Sequence, residues 1–478
     1  MYLLFNCGLD PSFTITSSQG EGNRHATIFL FGSISELYFI DSYGDDLLLT
    51  IEKLVYGGDG LARLPGDEQG RGKAVFMPFV LEGEEVEAAL VEQKPGFARA
   101  RVEKIVRGSE RRVEARCPYF QRCGGCHYQH GGYEHQLQIK AAILKENLRR
   151  IAKLELESEL KFHPSPAWNY RNRTRFKIQT SPQFALGYFK FGSHELLPVE
   201  ECPISSPLIN RAMAAFWEQG RAGKMAEGIR ELELFVNAED TGLLIEAYCA
   251  PSIEKGAAEQ WAQETQRALP EIVGAVVFIG ENKLQPELWV EAGAKEITYN
   301  TERAAYRVSA GAFFQVNRYL TDELVTIVTE GRSGTTALDL YSGVGLFSSV
   351  LNREFERVIA VESSPTSYAD LLYNSAANVK RVRATVEQYL ENAAGKLHPD
   401  FVVVDPPRAG LGEGVIRNLV KLAASRITYV SCDPATLSRD LRALLQSGYR
   451  VEQAHLVDLC PQTYHLESVF HLVRQFSM

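Results

Sequence analysis

From Thr336 onward the chain alternates short apolar runs with longer amphipathic stretches. The runs lie in ALDLYS, RVIAVES, DFVVVDPP and ITYVSC, and a helical segment follows each. Phe401-Val-Val-Val404 has no polar face, as a parallel strand covered on both sides requires. The pattern predicts a doubly wound α/β domain. Between Leu47 and about Val106 the periodicity changes to short β-rich pieces, LLLTIEKLVY, KAVFMPFV, EEVEAALVEQ and FARARVEKIV, separated by glycine-rich turns such as Gly57-Gly-Asp-Gly60. Strands this short and evenly spaced predict a small barrel of the OB type. Leu137, Ala141, Leu144, Leu148 and Ile151 recur at helical spacing with Lys140, Lys145 and Arg149 on the other faces, which predicts an amphipathic helix. Residues 170 to 308 read as mixed strands and helices, including TRFKIQT, FALGYF, LELFVNA and GLLIEAYC.

A chain of 478 residues exceeds one ordinary domain at about 150 residues each. The resulting partition is an unassigned extension at 1–45, where no periodicity is sustained, a barrel at 46–107, a central α+β domain at 108–307 and the α/β domain at 308–478. No apolar run approaches the roughly 18 residues of a membrane span, and the N-terminal MYLLFNCGLDP lacks the basic flank of a signal peptide. A cytoplasmic location is expected, with no membrane association and no obligate protein partner. The net charge of −9 argues against binding nucleic acid by bulk attraction, so any RNA surface must be local. Two stretches are candidates. One carries Lys94, Arg99, Arg101, Lys104, Arg107, Arg111, Arg112 and Arg116, and the other, Trp168-Asn-Tyr-Arg-Asn-Arg-Thr-Arg-Phe-Lys177, interleaves arginines with aromatics. Guanidinium forks suit phosphates and aromatic faces suit unpaired bases, although a solvated amphipathic strand has the same composition.

The eight cysteines form no secreted disulfide pattern. Cys117, Cys123 and Cys126 cluster in CPYFQRCGGCHYQH and Cys202 follows in ECPI. Four thiolates so spaced suit an iron–sulfur cluster, with a zinc site or unligated thiols as the alternatives. The first α/β strand ends in Asp339-Leu-Tyr-Ser-Gly-Val-Gly345, a glycine turn permitting close cofactor approach. Glu362 ends the next strand, where an acid can accept hydrogen bonds from a ribose diol, and Asp405-Pro-Pro-Arg408 ends another. A dinucleotide is the competing ligand, but the G-x-G-x-x-G spacing fails at Phe347-Ser348. Cys432 stands at the end of the strand in TYVSCDPATLSRD, and Glu467 near the start of the last strand in YHLESVFHL. A lone strand-end cysteine is usually a small buried hydrophobe. Together with a carboxylate it can do more: a thiolate adding to C6 of a pyrimidine makes C5 nucleophilic towards a methyl sulfonium, and the carboxylate then removes the C5 proton.

C-x5-C-G-G-C with distal Cys202, Phe313-Phe-Gln-Val-Asn317, DLYSGVG, DPPRAG, SCDPATLSRD and HLES stand in order along the chain. Over about residues 46 to 478 it closely resembles the RNA uracil-5-methyltransferases, and among them the bacterial 23S ribosomal RNA enzymes with a TRAM barrel and a 4Fe–4S cluster. The resemblance implies a class I methyltransferase domain using S-adenosylmethionine, contacted by Gln315, Tyr341, Glu362 and Asp405. It implies Cys432 as the nucleophile, Glu467 as the base, and Cys117, Cys123, Cys126 and Cys202 as the cluster ligands. Large-subunit ribosomal RNA is the expected partner, with the tRNA T-loop uridine as the alternative. A cytosine-C5 enzyme would carry a cysteine directly after the Asp-x-Pro turn, where this chain has Arg408, and a relict RNA-binding module would have lost Cys432 or Glu467. Leu346 stands where some relatives have a polar residue that can face the cofactor.

Overall fold

The computed structural model describes residues 12–16, 25–29 and 47–475, apart from 67–69, 71 and 281–286. Within the N-terminal 45 residues, to which the sequence assigns no element, Ser12–Thr16 and His25–Phe29 form an antiparallel pair; the rest of that segment lies outside the described residues. From Leu47 on, the chain divides into two compact units, one reaching Glu110 and the other formed by Tyr56–Gly58 and Arg111 onward.

The first unit is a six-stranded sheet in the order Leu47–Thr50, Glu85–Gln93, Phe97–Arg107, Ala74–Pro78, Asp59–Arg63 and Lys53–Leu54. Alternate residues turn inward, so that Leu49, Val75, Met77, Val86, Ala88, Ala98 and Ala100 make its core. Gly60 is needed at one crossing, since a Cβ there would stand 2.3 Å from the Val80 side chain. Of the basic residues from 94 to 116, Lys94, Arg99, Arg101 and Arg107 already pair with carboxylates of this unit.

In the second unit a seven-stranded sheet runs Leu196–Pro198, Ala185–Phe189, Arg173–Gln179, Ile229–Val236, Leu243–Cys249, Ile272–Ile279 and Glu287–Gly293. Only Leu243–Cys249 and Ile272–Ile279 are parallel, and the helix Lys255–Gln266 makes the crossover that parallel strands require. The register sets Arg175 opposite Glu233 and Lys177 opposite Glu231. Three cations of the arginine-rich stretch are therefore consumed within the sheet: Arg173 pairs with Glu233 and Glu246, Arg175 with Glu233, and Lys177 with Glu231. This part of the expected RNA surface is a cross-strand ion-pair network instead.

The catalytic sheet contains β1 (Gly334–Leu340), β2 (Phe355–Glu362), β3 (Val379–Arg383), β4 (Phe401–Val404), β5 (Arg426–Ser431), β6 (Tyr449–Val457) and β7 (Glu467–Arg474). Their spatial order is β3, β2, β1, β4, β5, β7, β6. The first five are parallel, whereas β7 is antiparallel to both neighbours. All four residues of β4 are buried, as their unbroken apolarity predicts. Apolar cores cover both faces. One of them includes Phe235, Leu244 and Phe278, so the seven-stranded sheet shares a core with the catalytic sheet.

Ala141, Leu144, Leu148, Ala152 and Leu160, in a stretch placed by the sequence in the central domain, pack in a core of the catalytic sheet. Leu160–His163 pairs in parallel with β6 and becomes its edge strand. The predicted amphipathic helix spans Tyr133–Asn147, with a single wider turn at Leu148–Ala152. Lys140 is not on its solvent face. It is 1% exposed, and its Nζ donates to Asp458 at 2.5 Å and to the Cys460 carbonyl at 3.0 Å. Nearby, Gln136 Nε2 donates to Tyr128 O, Gly131 O and Gln462 Oε1. The helix thus buries a polar seam that secures the loop between β6 and β7. Lys140→Ala should cost about 3–5 kcal/mol in urea unfolding, because it strands the buried Asp458 charge. Lys140→Met combined with Asp458→Asn should recover most of that loss; equal destabilisation by both variants would show that the pair is not the cause.

Candidate active site

In an open α/β sheet the ligand crevice opens beyond the carboxyl ends of the strands, where the strand order reverses. Here that point lies between β1 and β4. Tyr341, directly after β1, has φ +64°, and Gly343 and Gly345 also have positive φ. A Cβ on Gly345 would press to 2.9 Å from Leu371. The turn is fixed by two acids. Asp339 accepts from the Ser348 amide and hydroxyl, and Glu362 accepts from the amides of Gly343, Ser363 and Ser364. Leu346 is buried in the core, its carbonyl accepting from Tyr306, and it does not line the cavity.

Gln315, Tyr341, Glu362, Asp405, Cys432 and Glu467 all line one cavity of about 630 Å³. Gln315 is set by Phe314, which is buried against Phe235, Tyr299 and Tyr306. Phe313, two positions before Gln315, is 65% exposed and lines the same cavity. Sequence reasoning assigned Phe313 no role; an aromatic left open beside buried neighbours is the signal that marks it. Arg408 and His465 also line the wall, with Arg408 Nη2 3.4 Å from His465 Nδ1.

Cys432 and Glu467 come together through strand register. β5 and β7 are antiparallel, with Ser431 opposite Ser468. The next positions outward are Cys432 and Glu467, so residues far apart in the chain meet across neighbouring strands. Asp433 caps the following helix, Pro434–Gln446, by accepting from the Ala435 and Thr436 amides, and the Tyr56 hydroxyl donates to the Cys432 carbonyl at 3.0 Å. Burial and the Glu467 and Asp405 carboxylates push the Cys432 thiol up to about 12, while Arg408 opposes them. Glu467 lies well above the usual carboxylate range because of burial and Asp405. Burial lifts Asp339 and Asp405 to about 7. A carboxyl raised in the folded state costs stability that is absent below the unfolded range near about 4 and complete above about 7. The protein therefore keeps a cluster of acids at a cost to folding, as a site for a cation would.

Cys117, Cys123, Cys126 and Cys202 line a second cavity, of about 400 Å³. None of the four forms a disulfide, and the Gly125 amide donates to Cys123 Sγ at 3.4 Å. Among the described residues no three histidine, cysteine or acidic side chains converge as ligands of a single metal ion. The loop is tied to the catalytic side, since the His127 and Tyr128 amides both donate to the Gln462 carbonyl at 2.9 Å.

The sheet order, the glycine turn and the strand-end acids define a methyltransferase of the class I fold. The model of the tRNA (uracil-5-)-methyltransferase family matches residues 132–475, and that of the TRAM domain residues 43–102. An uncharacterized RNA methyltransferase of Aquifex aeolicus is 35% identical over 430 residues, covering 88% of this chain and 97% of its own. Another, from Thermotoga maritima, is 30% identical over 459 residues, covering 89% and 98%. The crystal structure of Pyrococcus abyssi tRNA (uracil-54, C5)-methyltransferase in complex with S-adenosyl-L-homocysteine shares the fold, with a TM-score of 0.70 and 24% identity, covering 89% of this chain and all of that one. The chain belongs to the tRNA (uracil-5-)-methyltransferase family and is an S-adenosylmethionine-dependent RNA uracil-5-methyltransferase with an N-terminal TRAM domain.

A sulfonium placed among these acids favours their ionised forms, and S-adenosylhomocysteine lacks that charge. The preference for S-adenosylmethionine over S-adenosylhomocysteine, measured by calorimetry, should therefore increase as pH rises from about 6 to about 8, by up to roughly tenfold per unit for each acid that ionises. A ratio independent of pH would show that the acids do not sense the sulfonium.

Proposed function

We propose that this enzyme methylates C5 of a uridine in large-subunit ribosomal RNA through a covalent adduct, with Cys432 as nucleophile and Glu467 as base. The observation that carries this reading is the β5–β7 register, which sets Cys432 beside Glu467 on the wall of the cofactor cavity. S-adenosylmethionine supplies a methyl group on a sulfonium. The Cys432 thiolate bonds to uracil C6, and the electron pair displaced onto C5 takes the methyl as its bond to the sulfonium sulfur breaks, leaving S-adenosylhomocysteine. Glu467 then removes the C5 proton, the C6–S bond breaks, and the thiolate is restored. The cofactor's positive charge offsets the acids that hold the thiol protonated in the free enzyme. Gln315, Tyr341, Glu362 and Asp405 contact the cofactor, and Phe313 offers a face on which a base taken out of its stack can lie. The ribosomal substrate is favoured by the TRAM domain combined with the four-cysteine set. The tRNA T-loop uridine is the second reading, favoured by what the Pyrococcus abyssi neighbour acts on.

In cells lacking the gene, 5-methyluridine should vanish from 23S ribosomal RNA and return with wild-type enzyme but not with Cys432→Ala, whose turnover should fall on the order of a thousandfold or more. Purified Glu467→Gln should accumulate a protein–RNA adduct on denaturing gels. Loss of the modification from tRNA alone would transfer the assignment to the second reading, and an active Cys432→Ala would remove the mechanism.

The four cysteines line one cavity, and four thiolates are the ligand set of a 4Fe–4S cluster, with zinc as the competing occupant. Cys117, Cys123, Cys126 and Cys202 would hold it. Methyl transfer moves no electron, so its chemistry there is that of a crosslink joining the loop at 117–126 to Cys202. Protein purified without oxygen should be brown with about four iron atoms per chain. Cys202→Ser should lose iron and RNA binding while keeping S-adenosylmethionine binding; stoichiometric zinc without iron would overturn the cluster.

A further inference from the structure

Arg171 differs from the other cations of the Trp168–Lys177 stretch. Arg173, Arg175 and Lys177 are matched by Glu233, Glu246 and Glu231. The side chain of Arg171 donates from Nε to the Arg173 carbonyl at 3.1 Å, and among the described residues it makes no ion pair with a carboxylate. Its backbone is clamped on two sides. The amide donates to Ile204 O and the carbonyl accepts from the Ser206 amide, both at 2.9 Å, which ties it to the loop after Cys202. On the other side the Asn172 amide donates to Val316 O at 3.1 Å and the Arg318 amide to Tyr170 O at 3.0 Å, which ties the same segment to the loop carrying Gln315.

Arg171 and His465 are the two residues that line both the cysteine cavity and the catalytic cavity. His465 cannot supply charge there, because burial, Arg408 and Arg171 push its titration down to about 3. The permanent positive charge in this wall is therefore that of Arg171, with Arg408 on the catalytic side. The same catalytic cavity holds Glu362, Asp405 and Glu467, which repel any phosphate that enters with a nucleotide.

We propose that Arg171 is a substrate-binding residue that takes a phosphate oxygen of the RNA beside the uridine presented to Cys432. The inference rests on the reading of Cys432 as the site of attack. A guanidinium presents paired donors to phosphate oxygens. One whose backbone is already fixed on both sides loses little freedom when it binds. Its place against the cysteine cavity also gives the cysteine loops a route to RNA affinity that bypasses the cofactor.

The test uses full-length enzyme purified without oxygen and two RNA probes, a 23S ribosomal RNA fragment containing a candidate uridine and a tRNA T-arm hairpin. Binding is measured over a salt series for wild type, Arg171→Gln and Arg171→Lys. On the RNA that wild type binds more tightly, Arg171→Gln should weaken binding by about tenfold or more. It should also reduce the slope of log K against log salt by about 0.7–0.9, the loss of one phosphate contact. Arg171→Lys should keep the slope and lose less affinity. S-adenosylmethionine affinity and iron content should not change. RNA affinity within twofold of wild type with an unchanged slope overturns the proposal. So does a parallel loss of bound metal and RNA affinity, which would make Arg171 a support for the cysteine loops. Because binding is read without turnover, failure to form 5-methyluridine in wild type would count against the catalytic assignment and leave the Arg171 result to stand or fall by its own slope.

Discussion

One reversed strand decides which side chains meet at the ligand edge of this sheet. Parallel strands present only their carboxyl ends at the ligand edge of a doubly wound sheet. A side chain at the start of a strand reaches that edge only if the strand runs the other way. β7 does so, between β5 and β6. Its first residue, Glu467, thereby meets Cys432, the first residue past β5. The loop from β6 to β7 must then cross this edge, and the buried hydrogen bonds from Gln136 and Lys140 keep it in place.

The carboxylates give the site its electrostatic character. Asp339, Asp405 and Glu467 are buried close enough to raise one another's titration or that of the thiol. Burial and these carboxylates favour the thiol form of Cys432. A cation bound among these acids favours their ionised forms and offsets the electrostatic penalty on a Cys432 thiolate.

The α/β half of the chain was legible because strands buried on both faces leave unbroken apolar runs, as Phe401–Val404 does. The short alternating strands after Leu47 were legible for the complementary reason, one face inward and one outward. Lys140 was misread because periodicity reports which apolar groups are buried and is silent on a buried cation whose partner, Asp458, lies 318 residues away. Arg173 was misread as an RNA contact for the same reason, since its acids come from the neighbouring strands at Glu233 and Glu246. Cys432 and Glu467 stood out through their motifs, but their adjacency needed the register of β5 against β7. Residues 160–163 gave no signal of their own, because a four-residue edge strand has too few positions to show a period.

That edge strand makes the order of synthesis matter. Leu160–His163 pairs with Ala454 to Val457, so the seven-stranded sheet is threaded between two parts of the catalytic one as an insertion. On the ribosome, at roughly 5–20 residues per second, Leu160 emerges tens of seconds before its partner exists. Until then this segment lacks the partner against which Leu160 is buried in the folded protein. The seven-stranded sheet is complete in sequence well before β6, and its early collapse would hold both ends of the insertion near each other, turning a distant pairing into a local one.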